Sequence, residues 1–372
     1  MDTAPAPIKI VHCADFHLGA SFSSLGVLRQ QLRNEDMQRA FSRVIQICRK
    51  EKPVFLLVAG DFFDSPFPPE SFLSLARDSF ESLIETNVMI SPGNHDPATV
   101  GSCWLADGYW PENVYIFKGQ LEKLTYPGLK THVWGAGFAE SYQDSPLLGT
   151  SASNEDDFIN LCVMHGDLTT GASTYNPISE DMISKSNMDY MALGHIHRRT
   201  KILRAGRTFY SYPGSPEGLG FDEQSQRGVY VGEVGKGICN LQFYPVNQRE
   251  YCLLELDVTG LSQSEIVSAI RTKISGYARL EENLYSIELV GDIDEDRILS
   301  PESIASFFTD VFYIKVKDRT RIVSKASSEQ SLKAVFVRKM QERIAKSPDD
   351  ETLRLALKLG LSALKGKAGI KA

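Results

Sequence analysis

PVFLLVAGDFFD, residues 53–64, decides how the fold is read. Six apolar residues in a row, Val54 to Ala59, make the length of a strand and are too few for a helix. A run without alternation fits a strand buried on both faces, as in an α/β sheet. It stops at Gly60 and hands over two carboxylates, Asp61 and Asp64. The same order recurs four times. IKIVHCAD (8–15) leads to Asp15 and His17, and VMISPGNHD (88–96) ends in Asn94, His95 and Asp96. INLCVMHGD (159–167) ends in His165 and Asp167, and DYMALGHIH (189–197) in His195 and His197. Residues i and i+2 share a face of a strand, so these last two imidazoles point the same way.

Between the strands the period changes. NEDMQRAFSRVIQICRKEK (34–52) carries Met37, Phe41, Val44, Ile45 and Cys48 at helical spacing, with Asn34 as a cap. PPESFLSLARDSFESLIETN (68–87) predicts a second helix opened by prolines. VYIFKG, KTHVWGAG, GRTFYSYPGS and RGVYVGEVGKGICNLQFYPV add strands, the last with a hairpin turn at Gly-Lys-Gly. The pattern predicts an α/β fold, a layered sandwich with mixed sheets, over residues 1–250. From 251, CLLELDVTG, SQSEIVSAIRTKIS, LYSIELVGDID, SPESIASFFTD and FYIKVKDRTRIV alternate strand and helix, a small α+β domain at 251–325. After the polar SKASSEQ come two helices, 329–346 and 349–364, in a tail spanning 326–372.

Composition is that of a folded soluble chain, 42 % apolar and 23 % charged. The longest apolar run is too short to span a bilayer, and the first residues lack a signal-like core, so a cytoplasmic protein is expected. The six cysteines form no CxxC pair, which argues against a disulfide framework or a thiolate zinc site. The net charge of −7 argues against simple nonspecific electrostatic attachment to nucleic acid. Residues 331–372 run the other way, with ten Lys and Arg against four acids.

In open α/β sheets, ligands gather outside the carboxyl ends of the strands. Five of the seven histidines fall at such ends, together with Asp and Asn residues. Carboxylate, amide oxygen and imidazole without thiolate suit Mn²⁺, Fe²⁺ or Zn²⁺. Seven or eight such groups exceed one octahedral ion that also binds water. They fit two ions about 3.5–4 Å apart, which clamp a phosphate for in-line hydrolysis. Each motif alone has a plainer reading: GNHD is a common turn, GDFFD a turn with solvated acids, HxH a strand with packed histidines. All five at the ends of apolar strands point to one site. His12 and His132 lie within strands and read as structural.

The set D-F-H, G-D-F-F-D, G-N-H-D, M-H-G-D and G-H-I-H resembles the motifs of the calcineurin-like metallophosphoesterases over about residues 8–250. VHCADFHLGASFSSLG and YSYPGSPEGLGFDE resemble SbcD-type DNA repair exonucleases. The resemblance implies an α/β/β/α sandwich and two metal ions, Mn²⁺ foremost. It implies Asp15, His17 and His197 on one ion, Asn94, His165 and His195 on the other, and Asp61 bridging. His95 would act on the scissile phosphate with Asp96 orienting it, and Asp64 would support the site or the fold. Arg198, Arg199 and Lys201 are candidate DNA phosphate contacts. The 251–325 domain would cap DNA, the tail would grip an SMC-like ATPase, and the helix at 68–87 with neighbouring loops would form a homodimer. The reading implied is a Mn-dependent DNA exo- or endonuclease of double-strand-break or DNA-end repair. The rivals are a phosphoesterase acting on cyclic nucleotides or other small phosphoesters, and a non-catalytic metal-bearing scaffold.

Overall fold

The structure, a computed structural model, describes residues 5–149, 157–294, 299–323, 332–347 and 350–364. The chain divides into two units, Met1–Glu250 and Tyr251–Ala372. In the first, β1 (Ile8–Cys13), β2 (Phe55–Val58), β3 (Asn87–Ile90) and β4 (Val114–Ile116) are followed by β5 (Glu122–Tyr126), β6 (Thr131–Ala136), β7 (Ile159–His165) and β8 (Tyr190–Gly194). Then come β9 (Leu203–Ala205), β10 (Thr208–Ser211), β11 (Gly228–Gly235) and β12 (Ile238–Pro245). The helices are α1 (Val27–Glu51), α2 (Glu70–Glu81) and α3 (Glu180–Ser186).

These strands form two six-stranded sheets, ordered β12-β11-β1-β2-β3-β4 and β5-β6-β7-β8-β10-β9. Both combine parallel and antiparallel pairs, so both sheets are mixed. Alternate residues of the two sheets meet in a buried layer: Ile8, Ile10, Phe55 and Leu57 from one, Leu161, Val163, Tyr190 and Ala192 from the other. The outer face of the second sheet, Cys162, Met164, Met191 and Leu193, packs with Ile183 of α3 and Met188. Phe41 of α1 meets Phe16, Phe62 and Phe80 edge-on beside the first sheet. This is the expected α/β sandwich.

Boundaries differ where tertiary groups override the local pattern. α1 starts at Val27, behind Gly26, rather than at Asn34, whose amide instead donates to the Gln30 carbonyl within the helix. Its first two turns lack the apolar stripe that begins at Met37. α2 ends at Glu81 instead of 87 because the Asn113 amide takes the carbonyls of Phe80, Leu83 and Thr86, and β3 begins at Asn87. β5 escaped the sequence pattern as a half-exposed edge strand. The turn between β11 and β12 falls at the expected Gly-Lys-Gly, with Gly237 at φ +71°.

The second unit contains β13 (Tyr251–Asp257), α4 (Gln263–Ile274), β14 (Leu284–Val290), β15 (Asp292–Asp294), α5 (Pro301–Ala305), β16 (Tyr313–Asp318) and β17 (Arg321–Val323). β13, β14 and β16 make a parallel sheet, while β15 pairs with β17. Two segments read as single strands are thus each divided, one at Gly291 (φ +96°). α6 (Leu332–Lys346) and α7 (Glu351–Leu364) bury Val337, Met340, Leu357 and Leu361 in the core of this same unit. On α6, Leu332 is exposed while Val337 and Met340 take the buried places. The SKASSEQ segment lies outside the described residues. Among the described residues no helix is long and apolar enough to cross a membrane.

The sheets approach closely where β8 ends. A Cβ on Gly194 would overlap the Ala59 carbonyl oxygen and stand 2.8 Å from Ala14 Cβ. Gly194→Ala is expected to destabilise the first unit by about 1–3 kcal/mol, read as a lowered denaturation midpoint. An unshifted midpoint would show that the sheets can part there without cost.

Candidate metal centre

The carboxyl ends of β1, β2, β3, β7 and β8 converge, and the polar residues that follow them meet in one cluster. Four adopt a left-handed backbone: Asp15 (φ +54°), His17 (+47°), Asp61 (+47°) and His195 (+108°). Such conformations are sparsely populated for residues with a Cβ and persist only where surroundings impose them. Here hydrogen bonds impose them. The amides of Asp15 and His17 donate to the carbonyls of Gly60 and Asp61 at 3.0 and 2.9 Å. The His195 amide donates to Asp15 Oδ1 at 3.0 Å.

Two groups of donor atoms result. In one, ligand atoms of Asp15, His17, Asp61 and His197 lie within 4.8 Å of one another. His17 Nε2 is 3.1 Å from His197 Nε2 and 3.6 Å from Asp61 Oδ2. In the other, Asn94 Oδ1 lies 3.0 Å from His165 Nε2 and 3.2 Å from His195 Nδ1. His165 Nε2 is also 3.4 Å from Asp61 Oδ2. Asp61 Oδ2 therefore belongs to both groups. All seven residues read from sequence as metal ligands are in the cluster. Asp15, His17, Asp61 and His165 are buried, and Asp15 Oδ2 is buried without a hydrogen-bond partner. A buried carboxylate oxygen left unpaired is costly. Its position among imidazole nitrogens is what a divalent cation would satisfy, so the donor set fits the implied metals.

The electrostatics are uneven. Burial pushes the Asp61 carboxyl up, but the imidazoles of His165 and His17 overcome it and hold the group ionised well below the usual carboxylate range. Burial of Asp15 raises its carboxyl. The two histidines of GHIH diverge. Burial and the neighbouring His165 lower His195 to about 4. Burial also works against charge on His197, but the carboxylates of Glu223 and Asp15 outweigh it and raise the imidazole to about 9.

Glu223 was not singled out by sequence. Its Oε1 lies 2.7 Å from His197 Nδ1, while its Oε2 accepts from Ser215 Oγ at 2.7 Å. A carboxylate on the far nitrogen fixes the ring so that Nε2 faces the ligand. Arg227 and the Ser215 amide both donate to the His197 carbonyl, holding the backbone as well. The turn GFDE offers no periodic signal; the one hint in sequence is that Glu223 closes the stretch YSYPGSPEGLGFDE, which carries part of the resemblance. Tyr175 was missed too; its ring centroid lies 5.1 Å from that of His195.

His95 stands half-exposed at the edge, its ring centroid 4.7 Å from that of His17. Its amide donates to Asp61 Oδ1 at 2.8 Å. The reading of Asp96 as the group that orients His95 is corrected. Asp96 is fully buried and accepts from the amides of Phe62, Phe63 and Gly93 at 2.8–3.0 Å. It braces the loops that follow β2 and β3 instead. Asp64 takes the place at His95: its Oδ1 lies 3.4 Å from His95 Nδ1 and 3.1 Å from His17 Nδ1. That carboxylate raises the His95 pKa against the effect of burial.

Gly194, which precedes His195, lets the chain pass close to the Ala59 carbonyl. His12 is buried, 2.8 Å from the Tyr190 hydroxyl, and His132 stacks on Phe158. Arg198, Arg199 and Lys201 are all exposed just beyond His197. Arg199 lies over the Phe243 ring at 3.9 Å.

Residues 8–199 match the calcineurin-like phosphoesterase family. The chain belongs to that family of metal-dependent phosphoester hydrolases. It is 29 % identical over 265 residues to the uncharacterized metallophosphoesterase YhaO of Bacillus subtilis, covering 68 % of this chain and 64 % of that protein. It is 26 % identical over 295 residues to a component of the SbcCD nuclease of Staphylococcus epidermidis, covering 70 % and 75 %. It is 24 % identical over 280 residues to the DNA double-strand break repair protein Mre11 of Methanopyrus kandleri, covering 70 % and 56 %. The chain thus spans a little under two thirds of the first of these relatives.

Asp61→Ala is expected to lose both cations, counted by elemental analysis of the purified protein. Glu223→Gln should keep two sites but weaken cation affinity about 10–100-fold by calorimetry. An Asp61→Ala protein with its full complement of metal would contradict the shared position.

Proposed function

We propose that this protein is a two-metal phosphodiesterase that cuts DNA, a Mn-dependent exo- or endonuclease acting at DNA ends. The observation that carries the reading is the single oxygen, Asp61 Oδ2, common to two complete donor groups. Asp15, His17, His197 and Asp61 would hold one ion, and Asp61, Asn94, His165 and His195 the other. Two divalent cations, Mn²⁺ foremost, would supply Lewis-acid polarisation of the phosphate and of an attacking water.

The chain's own residues supply the rest. Asp61 and Asp15 bring negative charge that balances the cations. The Asp64 carboxylate favours the imidazolium of His95 and raises its pKa against the effect of burial. With Asp64 at Nδ1, Nε2 is the nitrogen that donates to the departing oxygen, as a general acid. Arg198, Arg199 and Lys201 extend the site with three positive charges, suited to the phosphates of a chain rather than to one small ester.

DNA is favoured over small phosphoesters by two further features. Relatives bearing nuclease and double-strand-break-repair names align over 70 % of this chain. A separate α+β unit begins at Tyr251, and we assign residues 251–325 the capping of DNA. The 326–372 tail we assign to an SMC-like ATPase. α6 and α7 seat one face in their own unit yet leave Leu332, Leu355, Leu359 and Leu364 exposed. A homodimer and a cytoplasmic setting complete the reading.

The test offers purified protein with Mn²⁺ three substrates: linear double-stranded DNA, a cyclic nucleotide and a phosphomonoester. DNA should be cut. Cleavage of the cyclic nucleotide alone would give the protein to small phosphoesters. His95→Ala should retain both metals while losing at least about a hundredfold in rate; loss of metal instead would remove its assigned role.

For the tail, Leu355→Glu with Leu359→Glu should abolish co-elution with the host's purified SMC-like ATPase and leave DNA cutting by the free protein intact. Undiminished co-elution would place the contact elsewhere.

A further inference from the structure

The loop that supplies Glu223 runs on through Gln224, Ser225 and Gln226 to Arg227. With Arg198 and Arg199 it encloses a cavity of about 520 Å³ beside the metal centre. No metal ligand lines it, but two of its walls, Ser215 and Arg227, are the groups that hold the His197 carbonyl. The volume falls in the range of about 300–1,000 Å³ typical of small-ligand sites and is far too small for a folded segment.

Its chemistry is mixed. Three of its residues carry guanidinium groups. Arg227 is spent on Glu223, Ser215 and His197. Arg199 is pinned over Phe243 at 3.9 Å, which holds the guanidinium in place and leaves N–H groups to donate outward. Arg198 is exposed. Asp222, Gln224 and Gln226, all exposed, complete the lining. The glutamines offer paired donors and acceptors, and Asp222 offers acceptors only. Between the glutamines, Ser225 sits at φ +77°, a left-handed conformation that a non-glycine residue adopts at a cost. A strained residue in a loop that also holds a metal ligand's partner marks a shape imposed for a purpose.

We propose that this cavity receives the nucleoside next to the scissile phosphate, resting on the reading of the substrate as nucleic acid. Arg198 and Arg199 take the flanking phosphate, and Gln224, Gln226 and Asp222 meet the base edge. A glutamine amide matches the donor–acceptor pair of adenine, and a carboxylate accepts from an exocyclic amino group. The site therefore favours adenine and disfavours thymine, which has no amino group. The GFDEQSQR stretch becomes a reading loop, joined through Glu223 to the catalytic centre it adjoins.

The experiment uses the full chain with Mn²⁺ and a set of oligonucleotides with adenine or thymine at each position flanking the cut. Bis(p-nitrophenyl) phosphate serves as a diester without a base. Wild-type protein should show at one flanking position a preference for adenine of about fivefold or more in kcat/KM. Gln224→Ala with Gln226→Ala should erase that preference through KM. Arg198→Ala should raise KM for every sequence alike and keep the preference. No preference in the wild type, a preference that survives the double substitution, or an equal loss on the baseless diester would each overturn the proposal. Hydrolysis of the baseless diester with no cutting of any oligonucleotide would instead defeat the nucleic-acid reading itself.

Discussion

The molecule is organised around a carboxylate that has almost no water. Asp61 is 1 % exposed, yet two imidazoles at 3.6 and 3.4 Å hold it ionised. An isolated charge so buried would be strongly disfavoured and would protonate instead. It survives here because positive or polarisable groups surround it. His17, His165 and the His95 amide all address its oxygens. The same arrangement that makes the anion tolerable leaves it ionised among donor atoms, as a cation site requires. Stability and chemistry draw on one set of contacts.

Bringing five strand ends to one point forces the backbone into unusual shapes. Asp15, His17, Asp61 and His195 each take left-handed angles, and the chain near them leaves little room. Gly93 shows how little: a Cβ there would collide with the Asp61 carboxylate. Asp96 holds this turn by gathering three amides onto one buried carboxylate. Its burial and the nearby charge of Asp61 raise its pKa to about 7. The motif GNHD thus has two tasks. Asn94 and His95 reach the histidines and carboxylates of the cluster, while Gly93 and Asp96 make the turn that presents them. The turn-former reading of GNHD belongs to Gly93 and Asp96, while Asn94 and His95 are the residues it places in the donor cluster.

This division explains what the sequence could and could not reveal. Apolar runs ending in Asp, Asn and His are legible because strand period and chemistry coincide there. Asp61, His165 and Asn94 can therefore be grouped from sequence alone. Asp96 misleads because adjacency to His95 in sequence says nothing about the direction of its side chain. Its carboxylate turns to backbone amides, and Asp64, at the end of a different strand, reaches the imidazole. Glu223 is illegible for a similar reason. It lies in a loop without period, and its partner His197 is 26 residues away. α1 reads short because its first turns meet solvent and carry no stripe. Long-range side-chain pairing and edge elements lie beyond what local pattern encodes.

The loop that carries Glu223 is itself held from a distance. Arg33, fully buried on α1, donates to Glu217 Oε1 at 2.8 Å and to the Gly218 carbonyl at 2.6 Å. Asp36, one turn on, accepts from the same guanidinium at 2.9 Å and from Arg249 at 2.7 Å. A buried cation between two carboxylates gains little net stability over an apolar core of the same shape. Removing one partner, however, would strand the others, so the network strongly favours a single arrangement. That arrangement joins α1 to the PEGLG turn, whose Leu219 amide donates to Glu223 Oε2. Glu223 in turn fixes His197. A helix that contributes no residue to the donor cluster thus helps set the angle of His197, through a chain of hydrogen bonds whose side chains are buried or nearly so. The stretch YSYPGSPEGLGFDE, legible in sequence as a strand end and a resemblance but not as a brace, is the means by which the outer helix layer and the clustered strand ends are held in one geometry.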